Sequence, residues 1–305
     1  MNNTTLQNSF KEFLISQDLA EISVKGYLMD IVFFQSWLSE LHQNDVSLLD
    51  VSIDDLTAFR ESMSKTKRQK PSAVNRRILV IKRFYNWTKK TGLISKNPAE
   101  YLKFIKRAAP KKPVALNKSE VHALLIAAGR STRGLAKRNY AFIQLILQTG
   151  IRIGEVCKLE IRDLVIKDRS GFVKIADGKG RKYREIPLNT TARRALSEYL
   201  DTFDERKPNN FVFMSNRGSK AGIRTLQKVV STIAARANID RVHVTAHTLR
   251  HTFATHYLEA NPNGLLELSA LMGHDSINTT ALYTKASNEK ISESIERSAI
   301  NIYGE

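Results

Sequence analysis

The run KRAAPKKPVALNKSE, from Lys106 to Glu120, constrains this chain more than any other stretch. Pro110 and Pro113 lack the backbone N–H that a helix interior needs, so no helix continues through it. The segments before it carry apolar residues at helical spacing, whereas part of the chain after it alternates with period two. A chain of 305 residues is also long enough for two cores. The expected division is a helical domain over 1–107, a linker over 108–116 and a second domain over 117–305.

Charge narrows the partners. The chain has 48 basic against 30 acidic residues, a formal charge of +18, and the excess is spread along it rather than confined to a tail. Basic side chains distributed this way suit a polyanion, because each neutralised phosphate releases counterions. Double-stranded DNA gripped from two sides by two linked basic domains fits that distribution. No apolar run approaches the roughly 18 residues needed to span a bilayer, so no membrane partner is expected. The start, MNNTTLQNSFKEFL, lacks the basic-then-apolar pattern of a secretory signal. The single Cys157 cannot form an internal disulfide, and the seven histidines show no zinc spacing. A cytoplasmic protein without a metal is the expectation.

The first domain reads as four or five helices. Ser23–Leu38 carries Tyr27, Ile31, Phe34 and Leu38 at helical spacing, with Ser23 as its cap. A short helix is expected over Ile53–Met63, and a longer amphipathic one over Ser72–Thr91. On the latter Val74, Ile78, Ile81 and Phe84 pack, while Arg76, Arg77, Lys82 and Arg83 lie on other sides and are candidate DNA contacts.

The second domain opens with Asn117 and Glu120 as a capping pair for a helix to Ala128. In LILQTGIRIGEV an apolar helix ends near Gly150 and a new one starts at Arg152. A cation at a helix start is unfavourable unless an anion compensates it. Arg152 is therefore a candidate phosphate ligand, with a surface ion pair to Glu155 as the plain alternative. LVIKD, GFVKIAD and KYREIPL then read as strands, and Gly178 and Gly180 place Lys179 at a hairpin tip. A tip lysine can reach a leaving oxygen; it is also what a solvated turn looks like. Further on, a helix capped by Thr190 or Thr191 runs to Phe203, FVFM at 211–214 is a short strand, and Ile223–Ala237 is a helix bearing Arg224 and Lys228, two more candidate DNA contacts. The fold class expected is mainly α in two domains, the second α+β with a small three-stranded antiparallel sheet.

The chemistry concentrates between His247 and Tyr283. HTLRH lies on a helix from Ala246 to Ala260, and its spacing of three puts His247 and Arg250 on one face, where both can meet the same anion. A second helix, LLELSALMG, ends at Gly273, with His274 directly after that glycine. A further helical turn leads to Tyr283. A tyrosine with a pKa of about 10 is a poor nucleophile until cations or a base help it lose its proton.

Four pieces, TGIRIGEV, GKGRKYREIPL, HTLRHTFATH and LMGHDSINTTALYT, together resemble the tyrosine recombinases, or phage integrases, and in particular their Xer-like members. The resemblance covers almost the whole second domain, and the first resembles the family's helical, SAM-like core-binding domain. It implies catalytic roles for Arg152, Lys179, His247, Arg250, His274 and Tyr283, with Glu155 supporting the first arginine. Gly154 stands where the family often has serine, and Ile151 where it often has leucine; neither touches a reacting group.

The implied reaction is attack of Tyr283 on a DNA phosphodiester at a specific core site, giving a 3′-phosphotyrosine and a free 5′ hydroxyl. Guanidinium groups do the charge work, so neither metal nor cofactor is implied. The resemblance further implies a tetramer on two sites, of this chain alone or with a related recombinase as second subunit. The terminal segment SNEKISESIERSAINIYGE, with Ile291, Ile295 and Ile300, resembles the family's protomer-docking end. A length near 300 residues favours a simple-site recombinase, serving integration, excision or resolution of a mobile element or replicon. Chromosome dimer resolution, a type IB topoisomerase-like relaxing activity and a non-catalytic DNA-binding role are the alternatives. Plasmid relaxation without exchanged product separates the second from recombination.

Overall fold

Leu6, Phe10 and Leu14 recur every four residues, and all three are fully buried on the first helix, α1 (Asn3–Ser16). The computed structural model describes residues 2–106, 114–130, 135–176 and 183–273. The chain divides into two units, Met1–Pro110 and Lys111–Glu305.

In the first unit α1 is followed by α2 (Glu21–His42), α3 (Ile53–Glu61) and α4 (Pro71–Lys90). Two starts are set locally: Ser52 and Asp55 form a reciprocal capping box on α3, and Pro71 takes the first position of α4, where no N–H is needed. α2 starts two residues before Ser23, with Ala20 at the cap position and no side-chain cap, and it runs past Leu38. After α3 the chain winds into a π-helical turn, Ser62–Thr66. Aromatic rings join the elements: Phe10 meets Phe84 edge-on at 5.1 Å between centroids, and Phe34 meets Phe59 at 4.8 Å.

A buried acid sits in this core. Asp30 is paired with Arg76 at 2.9 Å and Arg77 at 3.5 Å, and the Arg77 guanidinium also stacks over Phe33 at 4.3 Å. Burial pushes the Asp30 carboxyl above its ordinary value, against the lowering effect of both arginines. Lys82 donates to the Glu100 carbonyl at 3.0 Å, and Arg83 lies over the Tyr27 ring. All four expected DNA-contacting cations thus have partners within their own unit.

The second unit begins with α5 (Lys118–Gly129), where Asn117 and Glu120 form the expected capping box. α6 (Ala136–Thr149) follows; its residues from Ala141 to Leu147 are all buried, and α5, α8 (Thr190–Leu200) and α10 (Ala246–Ala260) pack around it. A single turn, α7 (Ile153–Val156), leads through Ile161–Asp163 into a sheet. The strands β1 (Leu164–Ile166), β2 (Gly171–Ala176) and β3 (Tyr183–Pro187) are antiparallel in the order β1-β2-β3, with Val173 opposite Leu164 on one side and Ile186 on the other. The inner face, with Val173, Ile175 and Ile186, joins the core around α6.

α8 (Thr190–Leu200), α9 (Ile223–Arg236), α10 (Ala246–Ala260) and α11 (Leu265–Met272) complete the described part. No helix among the described residues is long and apolar enough to cross a membrane.

Two further expectations need correction. Asn189, not Thr190 or Thr191, caps α8 by accepting from the Ala192 N–H, and the helix ends at Leu200. FVFM is not a strand: Phe211 pairs once with Glu160 and Met214 once with Lys220, so no ladder forms. The run instead buries Val212 and Phe213 in the core, which explains its apolar character without a strand. The two linker prolines, the hairpin tip, the turn after Gly273 and the terminal docking segment lie outside the described residues.

Candidate active site

Gly150 and Gly273 each end a helix in the left-handed conformation, with φ of 63° and 61°, which glycine adopts without a Cβ penalty. Close approach reinforces the need for glycine. A Cβ on Gly150 would lie 2.4 Å from Phe253 Cδ1, and one on Gly273 would lie 2.8 Å from Arg184 Nη1. Two helix C-termini, whose last carbonyls have no partner within the helix, are thereby brought to one place, and helix C-termini attract cations.

Three arginines answer them. Arg184 Nε donates to the Leu271 carbonyl at 3.0 Å, Arg250 Nη2 to Met272 at 2.8 Å, and Arg152 Nη2 to Gly273 at 2.6 Å. Arg250 Nη1 also donates to the Gly150 carbonyl. Three consecutive carbonyls at the end of α11 thus each accept from a different arginine.

Glu155 locks the arrangement from the other side. Its carboxylate accepts from the Arg152 backbone N–H at 2.9 Å, from the Arg152 guanidinium at 3.2 Å and from Arg184 Nη2 at 2.8 Å. Burial alone would raise this carboxyl; the Arg184 and Arg152 hydrogen bonds and charges outweigh burial and hold it below its ordinary value. The expected compensation of Arg152 by Glu155 is therefore real, and it is one part of a larger network.

Thr245 caps α10 by accepting from the Thr248 N–H at 3.1 Å, which puts His247 in the first turn. The His247 ring meets His251 edge-on, at 4.2 Å between centroids. Partial burial, then the Arg250 and Arg152 charges, holds its imidazole below the ordinary value, so it is neutral at pH 7 and has one N–H to donate.

These side chains line one open cleft of about 1000 Å³, whose wall includes Arg152, Glu155, Arg184, His247 and Arg250, with Lys228, Gln227 and Ser231 of α9 along one edge. The Arg152 side chain is 44% exposed to it, whereas Arg250 is buried. Of the expected site residues, Arg152, Glu155, His247 and Arg250 come together here, and Lys228 lines the same cleft. Arg224 is exposed on α9 but is not part of this wall. Lys179, His274 and Tyr283 lie outside the described residues. Arg184 is not among the residues expected from sequence, yet its signal is present there. In β3 the period of two puts it on the same face as buried Ile186, an inward-facing arginine in a strand.

A cationic cleft on an α+β domain, preceded in sequence by a helical basic domain, is suited to hold a phosphate of a polyanion. The family model for the phage integrase family matches residues 114–290, and that for the N-terminal SAM-like domain of phage integrases matches residues 8–92. The chain belongs to the phage integrase family. It is 31% identical over 295 residues to the tyrosine recombinase XerD of Listeria innocua, covering 94% of this chain and 96% of that protein. Its fold is similar to that of the XerH site-specific recombinase bound to difH substrate in a pre-cleavage complex (TM-score 0.72, 22% identity, 91% and 80% of the two chains). It is similar also to Tn1549 transposon integrase in complex with transposon right end DNA (TM-score 0.76, 20% identity, 98% and 99%). The activity is site-specific recombination of the tyrosine type, in which DNA strands are cut and rejoined through a phosphotyrosine link.

Proposed function

We propose that the cleft holds the scissile phosphate of a specific duplex core site, with Arg152 and Arg250 against its nonbridging oxygens and neutral His247 donating a hydrogen bond to one of them. Tyr283 supplies the attacking oxygen, Lys179 protonates the departing 5′ oxygen, and His274 donates a further hydrogen bond. The P–O5′ bond breaks as the tyrosine–phosphorus bond forms, leaving a 3′-phosphotyrosine and a 5′ hydroxyl. The 5′ hydroxyl of a partner strand then attacks the phosphorus and expels the tyrosine, so the phosphodiester is conserved through the exchange. Charge developing on the phosphoryl oxygens is where fixed guanidinium donors contribute most.

The observation that carries this reading is the convergence of Arg152 with His247 and Arg250, a pair far from it in sequence, on one cleft. Basic Arg224 and Lys228 on α9, with Lys82 and Arg83 of the first unit, are the candidate contacts to flanking phosphates. Two of the similar structures are complexes with DNA, XerH with difH and the Tn1549 integrase with transposon end DNA, which supports a multimeric assembly on duplex DNA. Its form in this reading is a tetramer on two sites, of this chain alone or with a related recombinase. It acts in the cytoplasm on nucleoid DNA, in integration, excision or resolution of a mobile element or replicon.

Arg152→Ala tests the assignment. The variant is expected to bind a core-site duplex in a gel-shift titration but to form covalent adduct on a nicked duplex about 100- to 1000-fold more slowly. Adduct formation at the wild-type rate removes Arg152 from the mechanism.

A further inference from the structure

We infer that Arg184 is a positioning residue of the recombination site, tying Glu155 to the end of α11 and so fixing the place from which Arg152 meets the phosphate. The inference rests on the catalytic reading of Arg152 given above. Arg184 reaches both partners at once: Nε donates to the Leu271 carbonyl at 3.0 Å and Nη2 to Glu155 Oε2 at 2.8 Å. Its guanidinium packs against Gly273, leaving no space there for a Cβ.

Its place differs from that of Arg152. The Arg184 side chain is 14% exposed against 44% for Arg152, and, of the three arginines, it is the one whose fork spans Glu155 and the Leu271 carbonyl. The role inferred for it runs through Glu155 and the α11 terminus, the two groups its fork joins. Glu155 Oε2 has two donors, Arg184 Nη2 and the Arg152 N–H. Without Arg184 the carboxylate loses its neutralising partner on that side and draws the Arg152 guanidinium onto itself, away from the phosphate. The Leu271 carbonyl loses its donor as well, in the helix turn that leads directly into His274 in the sequence. Lysine at 184 keeps the charge toward Glu155 but lacks the planar fork that serves both partners.

Single-turnover adduct formation and DNA affinity are measured for full-length Arg184→Gln, Arg184→Lys, Glu155→Gln and the Arg184→Gln/Glu155→Gln double variant. Arg152→Ala serves as the reference for the underlying reading. The probe is a nicked duplex carrying the core site recovered from DNA flanking the gene. Arg184→Gln is expected to slow adduct formation about 10- to 100-fold at unchanged DNA affinity, the range seen when groups orienting a reactive site are lost. Arg184→Lys falls between it and the wild type. The double variant is faster than Arg184→Gln alone, because the carboxylate that captures Arg152 is gone. Wild-type cleavage by Arg184→Gln, alongside a failed Arg152→Ala, overturns the positioning role and leaves the site reading intact. Wild-type cleavage by Arg152→Ala overturns the site reading itself. Loss of rate, affinity and unfolding midpoint together in Arg184→Gln, with no recovery in the double variant, reduces Arg184 to a structural residue and also overturns the inference.

Discussion

Arg250→Ala is expected to slow strand cleavage about 100- to 1000-fold in single-turnover adduct formation, and to lower stability at the same time. Two separate losses combine. Arg250 is buried, at 4% exposure, and donates to the Gly150 and Met272 carbonyls from two elements. Removing it leaves those acceptors without that donor, at about 1–3 kcal/mol for each buried group left unsatisfied. Removing a donor from a phosphoryl transition state costs about 3–4 kcal/mol on top of this. The two are separated by measuring cleavage at a temperature where circular dichroism shows the variant folded. Arg250→Lys returns the charge but not the fork, and it is expected to remain at least about 100-fold impaired. Near-wild-type cleavage by the lysine variant means that charge alone suffices and that the two-carbonyl anchoring of Arg250 has no catalytic consequence.

Gly150→Ala is expected to destabilise the second unit by about 2–5 kcal/mol, read from urea unfolding. A left-handed conformation costs an L-residue about 1–2 kcal/mol, and forcing a methyl into a packed site adds about 1–3 kcal/mol. Both apply at φ 63°, because the new Cβ would lie 2.4 Å from Phe253 Cδ1 and 2.9 Å from Cε1. Pairing Gly150→Ala with Phe253→Leu removes the collision and leaves the backbone strain, so the double variant recovers part of the loss. Cleavage by Gly150→Ala falls as well, since the Gly150 carbonyl is an Arg250 anchor. A Gly150→Ala protein as stable as the wild type contradicts the close packing of α6 against α10.

Much of this was legible because local signals agreed with the fold. The Asn117–Glu120 capping box, the helix stop at Gly150, and the switch to period two after Asp163 are all written in short stretches, and the structure repeats them. The missed features have different causes. The stripe of Leu6, Phe10 and Leu14 is diluted by polar neighbours, and Phe13 and Ile15 beside it blur the helical period. FVFM looked like a strand because burial of Val212 and Phe213 demands apolar residues whether or not a ladder forms.

The site shows the same division. His247 and Arg250 lie at helical spacing and Glu155 lies three residues after Arg152, so local geometry exposed both pairs. That Leu271, Met272 and Gly273 share three arginines from different elements is a tertiary fact without a local signature. Arg184 falls between the two. The alternation of β3 already placed it inward with Ile186, and an inward arginine needs a buried partner; that partner, Glu155, lies 29 residues away. Arg76 and Arg77 lie off the apolar side of α4, as their spacing implies, and their pairing with Asp30 on a neighbouring helix has no local signature.

The central claim is that this cleft performs phosphotyrosine chemistry with Tyr283 as the nucleophile. The most direct measurement is to trap the protein on a nicked duplex carrying its core site, digest the adduct and locate the modified residue by mass spectrometry. The expected result is a nucleotide phosphate on the Tyr283 peptide and no adduct with Tyr283→Phe. An adduct formed by Tyr283→Phe, or a modified peptide that lacks Tyr283, contradicts the claim.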